Sequence, residues 1–260
     1  MPTYVRMAGA LVLRKIMPPS VTFQPPAATY LLDYQTGDWS QWGNRDYNRP
    51  EQEAIVTSPA RSGYPYSARF IVAPGDHTFG QVNEERAEVS ATPTTTGNPA
   101  DGGSQWFSWS SFFPTGTYVD AAPHWLAFTQ WHHTASSGVP NVAFLMNPGT
   151  PVTAQLVVRG QSIDLNTGAV GYNHEWGLGE VLINSWNDFV VHIRWNSDPA
   201  LGGVTVKLNG TTVADVTCPT LYAGYSAYMK QGIYRANSTR THTIYHTGTR
   251  RGSTEASVRL

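Results

Sequence analysis

Arg86 and Glu88, Gln130 and His132, and Tyr228, Lys230, Gly232 and Tyr234 fall in three short runs, each with its notable residues on alternate positions. Strand side chains point to opposite faces in turn, so within a strand each set shares one face. The skipped positions include Ala87, Val89, Trp131, Met229 and Ile233, which would form an apolar back. A front carrying Arg, Gln, His, Lys and Tyr suits removal of a proton next to a carboxylate. An Arg fork or a Gln amide neutralises that carboxylate while an enolate-like state forms. A His, or a Tyr of lowered pKa, can take the proton, and a Tyr can give one to the leaving oxygen. Lys230, four residues from Tyr234 and on the same face, would favour the Tyr234 phenolate. Gly232 inside a strand marks close approach of a ligand or of another backbone. On simple alternation Leu126 and Phe128 share the face of Gln130 and His132, so that front is not purely polar.

The rest of the chain bounds this chemistry. Its 260 residues are near the upper size for one all-β domain, and 40% hydrophobic content is enough for a core. Low charge (13%) with 12% aromatics suits a β-rich protein that stacks rings on sugar faces. The net charge of −1 gives no global field for a polyanion, so an acidic substrate needs a local basic cleft. No basic run or zinc-finger spacing points to nucleic acid, and no apolar stretch reaches membrane-spanning length. Cys218 is the single cysteine, read as a small core residue; it leaves the redox compartment open. Met7 to Leu13 is apolar but short, and Arg14 and Lys15 follow rather than precede it, so no ordinary signal peptide is visible. A mature secreted protein, another export route or a virus-tail component all fit.

Residues 1–27 read as an appendage stiffened by Pro18, Pro19, Pro25 and Pro26, and residues 28–260 as one domain. From Tyr30 onward, alternating or apolar runs rich in β-branched and aromatic residues recur between Gly, Pro, Asn and Asp breaks. They predict strands at 53–58, 66–73, 84–91, 104–113, 124–133, 141–146, 152–159, 179–183, 187–195, 203–208, 211–216, 227–235 and 241–247. Leu208-Asn209-Gly210-Thr211 is a hairpin signal. Pro93 to Gly103 reads as a low-complexity surface loop. With no long helical period, the fold class is all-β: a two-sheet antiparallel jelly roll, a concanavalin-like sandwich.

The order Arg-x-Glu, Gln-x-His, Tyr-x-Lys-x-Gly-x-Tyr resembles the jelly-roll polysaccharide lyases, which include alginate, glucuronan and heparin lyases. The resemblance spans most of residues 30–247. Gly37-Asp38-Trp39-Ser40-Gln41-Trp42 is similar to the group's early segment, and Trp106 to Pro114 to its aromatic strand ending in Pro. Trp186-Asn187-Asp188-Phe189, Arg194-Trp195 and Leu208-Asn209-Gly210 resemble its later scaffold strands. Glu85-Arg86-Ala87-Glu88-Val89 is nearer the glucuronan and heparin-lyase-like branch. Alginate lyases often carry a further Arg where Ser90 stands here. The resemblance implies β-elimination on a uronic-acid polysaccharide, glucuronan-like first. It implies that Arg86 and Gln130 neutralise the carboxylate, and that His132 neutralises it or acts as base according to the sugar's stereochemistry. Tyr234 would be the acid, and for a syn elimination both base and acid. Lys230 would tune Tyr234 and hold substrate, Glu88 would orient Arg86, and Tyr228 would line the site. Arg235 should point away.

No cofactor is required on this reading and no metal ligand is named, although a structural calcium held partly by backbone carbonyls would be invisible in the sequence. The implied partner is an acidic polysaccharide, with no nucleic acid and no membrane, and the chain is expected to act as a monomer outside the cell or on a virion. Trp106 and Trp109 have opposite parity, so at most one faces a groove. A glycoside hydrolase would need two flanking carboxylates, and Glu84 and Glu88 are the only same-face pair. A non-catalytic carbohydrate-binding or virion tail attachment module is the alternative, but a lectin has no need of Gln130, His132, Lys230 and Tyr234 together.

Overall fold

Alternation sets the architecture. In the computed structural model, residues 30–91, 99–116, 125–135, 137–147 and 149–260 are described. The proposed appendage and most of the Pro93–Gly103 loop lie outside them. Fifteen strands follow in order: β1 (Tyr30–Leu31), β2 (Asn44–Asp46), β3 (Glu53–Val56), β4 (Ser67–Val72), β5 (Glu84–Ser90), β6 (Gly103–Phe112), β7 (Leu126–His133) and β8 (Val142–Asn147). The remainder are β9 (Thr153–Ile163), β10 (Val170–Glu180), β11 (Trp186–Trp195), β12 (Gly203–Leu208), β13 (Thr211–Thr217), β14 (Ala227–Ala236) and β15 (His242–Gly252). One antiparallel sheet runs β13-β12-β11-β6-β15-β4-β3, with β1 on β15. The other runs β10-β9-β8-β7-β14-β5-β2. This is the expected jelly-roll sandwich. Among the described residues no helix is long and apolar enough to cross a membrane.

The inner faces interlock through aromatic rings. Trp109 of β6 stacks on Phe189 of β11 at 5.1 Å and meets Phe144 of β8, in the opposite sheet, edge-on at 5.1 Å. Val89, Trp131, Leu156, Met229 and Ile233 close the same core from the second sheet. Rings with offset or edge contacts add to the area they remove from water, so this layer fixes which face of each strand points in. Cys218 is buried, as expected of a small core residue, and burial pushes its thiol up to about 12.

Two departures from simple patterning have local causes. The expected strand at 179–183 is replaced by β10, whose Val-Gly-Tyr-Asn-His-Glu-Trp-Gly-Leu-Gly-Glu run is too polar and glycine-rich to read as a strand. It survives at the sheet edge because β9 supplies its whole ladder. The hairpin at Asn209-Gly210 forms as expected, with both residues at positive φ (50° and 83°). The largest consequence lies in β7. Its pairing is irregular between Ala127 and Thr129, so alternation breaks there. Leu126 and Phe128 turn into the core instead of sharing the face of Gln130, and Phe128 packs on Phe113 and Phe189. The bulge keeps bulky apolar side chains off the polar front.

Gly232 is a second local device. Its φ is 141°, and an added Cβ would sit 2.3 Å from the Ala87 carbonyl oxygen and 2.8 Å from Glu88 Cα. The close approach foreseen for this glycine is to backbone. It lets β14 sit tight against the strand that carries Arg86 and Glu88. Gly232→Ala should therefore lower unfolding free energy by roughly 1–3 kcal/mol or more through backbone strain, read as a lower denaturant midpoint. An unchanged midpoint would mean that the two strands separate freely at this point.

Candidate active site

The three polar runs are neighbours in space. β7, β14 and β5 are adjacent, and cross-strand partners share a face. Register sets Tyr234 opposite Arg86, Gly232 opposite Glu88, Lys230 opposite Gln130, and Tyr228 opposite His132. All seven sequence-predicted residues, Arg86, Glu88, Gln130, His132, Tyr228, Lys230 and Tyr234, therefore occupy the outer face of one sheet. Trp106 and Trp109 belong to the other sheet. Trp109 is core, and Trp106 stacks on His192 at 4.4 Å, so neither enters this site. Arg235 points away as alternation requires and pairs with Glu85 at 2.6 Å.

Glu88 is the centre of the group. It is 2% exposed and accepts from Gln130 Nε2 at 2.5 Å and from Lys230 Nζ at 2.8 Å. Lys230 also meets Asp46 of β2 at 3.0 Å. Burial pulls the Lys230 ammonium down in pKa, but Glu88 and Asp46 outweigh that and hold it above its ordinary value. Glu88 comes no nearer than 4.0 Å to Arg86, so orienting Arg86 is not its main contact. Glu84 does that instead: it takes Arg86 Nη2 at 2.5 Å, while Gln81 takes the same nitrogen at 2.8 Å.

Arg86 lies 4.3 Å above the Tyr234 ring, a cation–π contact, and the Tyr234 hydroxyl donates to Glu84. Trp125 meets the Tyr234 ring edge-on, with centroids 4.6 Å apart. Burial first, then the Glu84 bond, push the phenol well above its ordinary pKa, while Arg86 opposes them. Tyr234 is thus a proton-loaded acid at rest. The expected help from Lys230 toward a phenolate is absent: its ammonium is committed to Glu88 and Asp46. Arg86 Nε and Gln130 Oε1 are buried without a hydrogen-bond partner, one donor and one acceptor left over in the same face.

His132 sits at the other end of the group, with its ring 5.8 Å from Tyr228. Its Nδ1 lies 3.0 Å from the His133 carbonyl oxygen and Nε2 3.1 Å from that of Gly138. Burial, aided by Lys230, lowers its pKa and favours the neutral ring, which can donate to only one of those carbonyls. Alternation placed Glu84 on the face of Glu88 in the sequence, but its role beside Arg86 and Tyr234 went unrecognised; Asp46 lies on a three-residue edge strand with no sequence signal. Among the described residues no group of three or more His, Cys, Asp or Glu is placed to hold a metal ion.

A jelly-roll sheet with a carboxylate-braced Arg, Gln, Lys, His and Tyr on its outer face defines a class of carbohydrate-active sandwich. The chain belongs to the polysaccharide lyase family, whose model matches residues 34–250. It is a polysaccharide lyase by that membership. The fold is shared with an endo-β-1,4-glucuronan lyase from the fungus Trichoderma reesei at TM-score 0.71 and 15% identity, over 89% of this chain and 98% of that one. An alginate lyase in complex with an alginate trisaccharide gives 0.58 at 12% identity, over 88% and 99%. An alginate lyase from a Chlorella virus gives 0.52 at 12%, over 87% and 100%. No curated protein matches the chain.

Two outcomes are expected. Lys230→Met strands the buried Glu88 charge and should cost roughly 3–5 kcal/mol. Adding Glu88→Gln to it should recover part of that loss in a denaturant-melt double-mutant cycle; strict additivity would show that the two side chains are not coupled. Burial also holds His133 down to about 4 and His246 down to about 3, against an ordinary 6.5. The unfolded chain then takes up protons below about pH 6.5 that the folded chain refuses, so stability should fall with pH until the folded values are reached. The slope should reach about 1.4 kcal/mol per pH unit for each group. Thermal melts between pH 7 and 4.5 that show no such decline would count against neutral buried rings.

Proposed function

We propose that the enzyme cleaves a uronic-acid polysaccharide, a glucuronan-like polymer first, by β-elimination on the face of β5, β14 and β7. The observation that carries this reading is Arg86 lying on the ring of Tyr234 while the phenol is bonded to Glu84. A carboxylate-neutralising cation and a proton carrier with its own acceptor thereby stand side by side. Arg86, with the second N–H of the Gln130 amide beside it, takes the uronate carboxylate and draws charge from the adjacent C5. In a glucuronate the C5 proton and the C4 oxygen lie on one side of the ring, so one group can serve both. The Tyr234 proton passes to Glu84 as the phenolate oxygen takes the C5 proton. The C4–O bond breaks, a C4=C5 double bond forms, and the new Tyr234 proton goes to the departing oxygen. Glu84 then returns its proton to Tyr234. Lys230 acts through Glu88, which holds Gln130 in place. His132 and Tyr228 bind the neighbouring sugar.

The glucuronan and alginate lyases that share this fold support an acidic polymer as substrate. The lone Arg86 followed by Glu88 and then Ser90 favours glucuronate over alginate. Such a polymer is met outside cells, which suits a secreted or virion-borne enzyme.

The test is an absorbance screen for the unsaturated product on glucuronan, alginate, heparin and a neutral glucan. Glucuronan is expected to respond and the neutral glucan not at all. Tyr234→Phe should keep the fold and substrate binding but lower kcat by about 10²–10⁴, and Glu84→Gln should lower kcat with little change in KM. Wild-type turnover by Tyr234→Phe, or reducing ends without a double bond, would overturn the elimination.

A further inference from the structure

The face that carries Glu88 and Gln130 continues across β8, β9 and β10. Beyond His132, Asn141 immediately precedes β8 and donates its backbone N–H to the Trp131 carbonyl, and Arg159 of β9 pairs with Asn173 of β10. Arg159 donates its backbone N–H to the Asn141 carbonyl at 2.6 Å, and Asn141 Nδ2 donates to the Arg159 carbonyl at 3.2 Å. The backbone is therefore fixed, and the side chain is half-buried.

Its guanidinium is nearly without partners. The contact present is Nη1 to the Pro140 carbonyl at 3.5 Å. Among the described residues no carboxylate lies within 4 Å of it. Arg86 and Lys230, on the same face, are each held by carboxylates at 2.5 to 3.0 Å. The nearest acid by register is Glu175, diagonal to it on β10, which is exposed and takes Gln155 Nε2 at 2.5 Å. Burial lowers the Arg159 pKa by more than Tyr222 and Glu175 raise it, so its desolvation is only partly offset. A partly desolvated fork of five donors with one long bond is suited to an anion from outside.

Position decides which anion. Arg159 is four strands from Arg86, about 19 Å by strand spacing alone. One sugar cannot touch both. In an equatorially 1,4-linked uronan, successive sugars turn over, so carboxylates facing the sheet recur along the chain. We propose that Arg159 binds the carboxylate of a second uronate, several sugars from the one held by Arg86, and so makes the enzyme an endo-acting reader of a long acidic polymer. This rests on the uronate-lyase reading above for the direction of the groove, and it assigns a separate site.

The probe is a ladder of size-fractionated oligoglucuronates, titrated calorimetrically into Tyr234→Phe enzyme so that nothing is cleaved. Affinity should step up once the oligomer is long enough to reach Arg159. Arg159→Gln should erase that step, a loss of roughly ten-fold or more for a charge-assisted contact, and leave the shortest ligands unchanged. Asn173→Asp provides a second variant: the position is exposed, so the fold is safe, and the new carboxylate opposite Arg159 should weaken the long oligomers alone. Affinities equal to the parent at every length in both variants overturn the proposal. If the step is present and both variants remove it, while wild-type enzyme forms no unsaturated product, the elimination fails and the second site stands. If product forms and the variants bind like the parent, the second site fails and the elimination stands.

Discussion

Glu88 is a buried carboxylate that joins three strands through one side chain. From β5 it reaches Gln130 on β7 and Lys230 on β14, and through Lys230 it reaches Asp46 on β2. A charge this buried is tolerated only where donors surround it. That demand sets the side-chain positions of Gln130 and Lys230, and with them the buried, unpartnered Oε1 of Gln130. Remove the carboxylate and the amide has no reason to hold one rotamer. Those bonds hold the side chains of the site, and Gly232 lets the strands come close enough for them to form.

Proton inventory follows from the same enclosure. The phenol of Tyr234 is driven upward in pKa by burial and by Glu84, whereas His132 is driven downward by burial and by Lys230. The two groups therefore rest in opposite readiness, one loaded and one empty. They also belong to different ends of the face. Tyr234 and Tyr228 are six positions apart on β14, about 20 Å along a straight strand, and His132 is opposite Tyr228. On the proposed elimination, chemistry at one bond falls to the Tyr234–Glu84 pair, which leaves His132 for a neighbouring sugar. The sequence resemblance alone left the roles of His132 open; Glu84 is what favours Tyr234.

The sandwich, its hairpin at Asn209-Gly210 and the common face of three distant runs were legible because period-2 alternation is a direct consequence of strand geometry. Most of what was hidden lies where alternation stops or is too short or polar to show. The break at Phe128 redirected two bulky residues into the core. β2 is three residues long, too short to show a period, yet it carries Asp46. β10 is held by its neighbour's hydrogen bonds despite a loop-like composition. Lys230 was misjudged for another reason. Sharing a face with Tyr234 says nothing of which acid is nearer, and Glu88 and Asp46 compete for the ammonium.

The hydrolase alternative can be weighed on the same geometry. Glu84 and Glu88 are the same-face carboxylates of β5, four positions apart, and thus about 13 Å from Cα to Cα on an extended strand. Glycosidase pairs need about 5–9.5 Å between carboxyl groups, with one oxygen acid poised over the glycosidic oxygen and the other open to water or to the anomeric carbon. Here neither carboxylate is open. Glu84 is occupied by Arg86 and the Tyr234 hydroxyl, and Glu88 by Gln130 and Lys230. Both serve as acceptors that position donors, and the donors face the groove. A face arranged to present cations and a phenol, with its acids turned inward, fits a negatively charged sugar that loses a carbon-bound proton. It does not fit the attack of water on a neutral one.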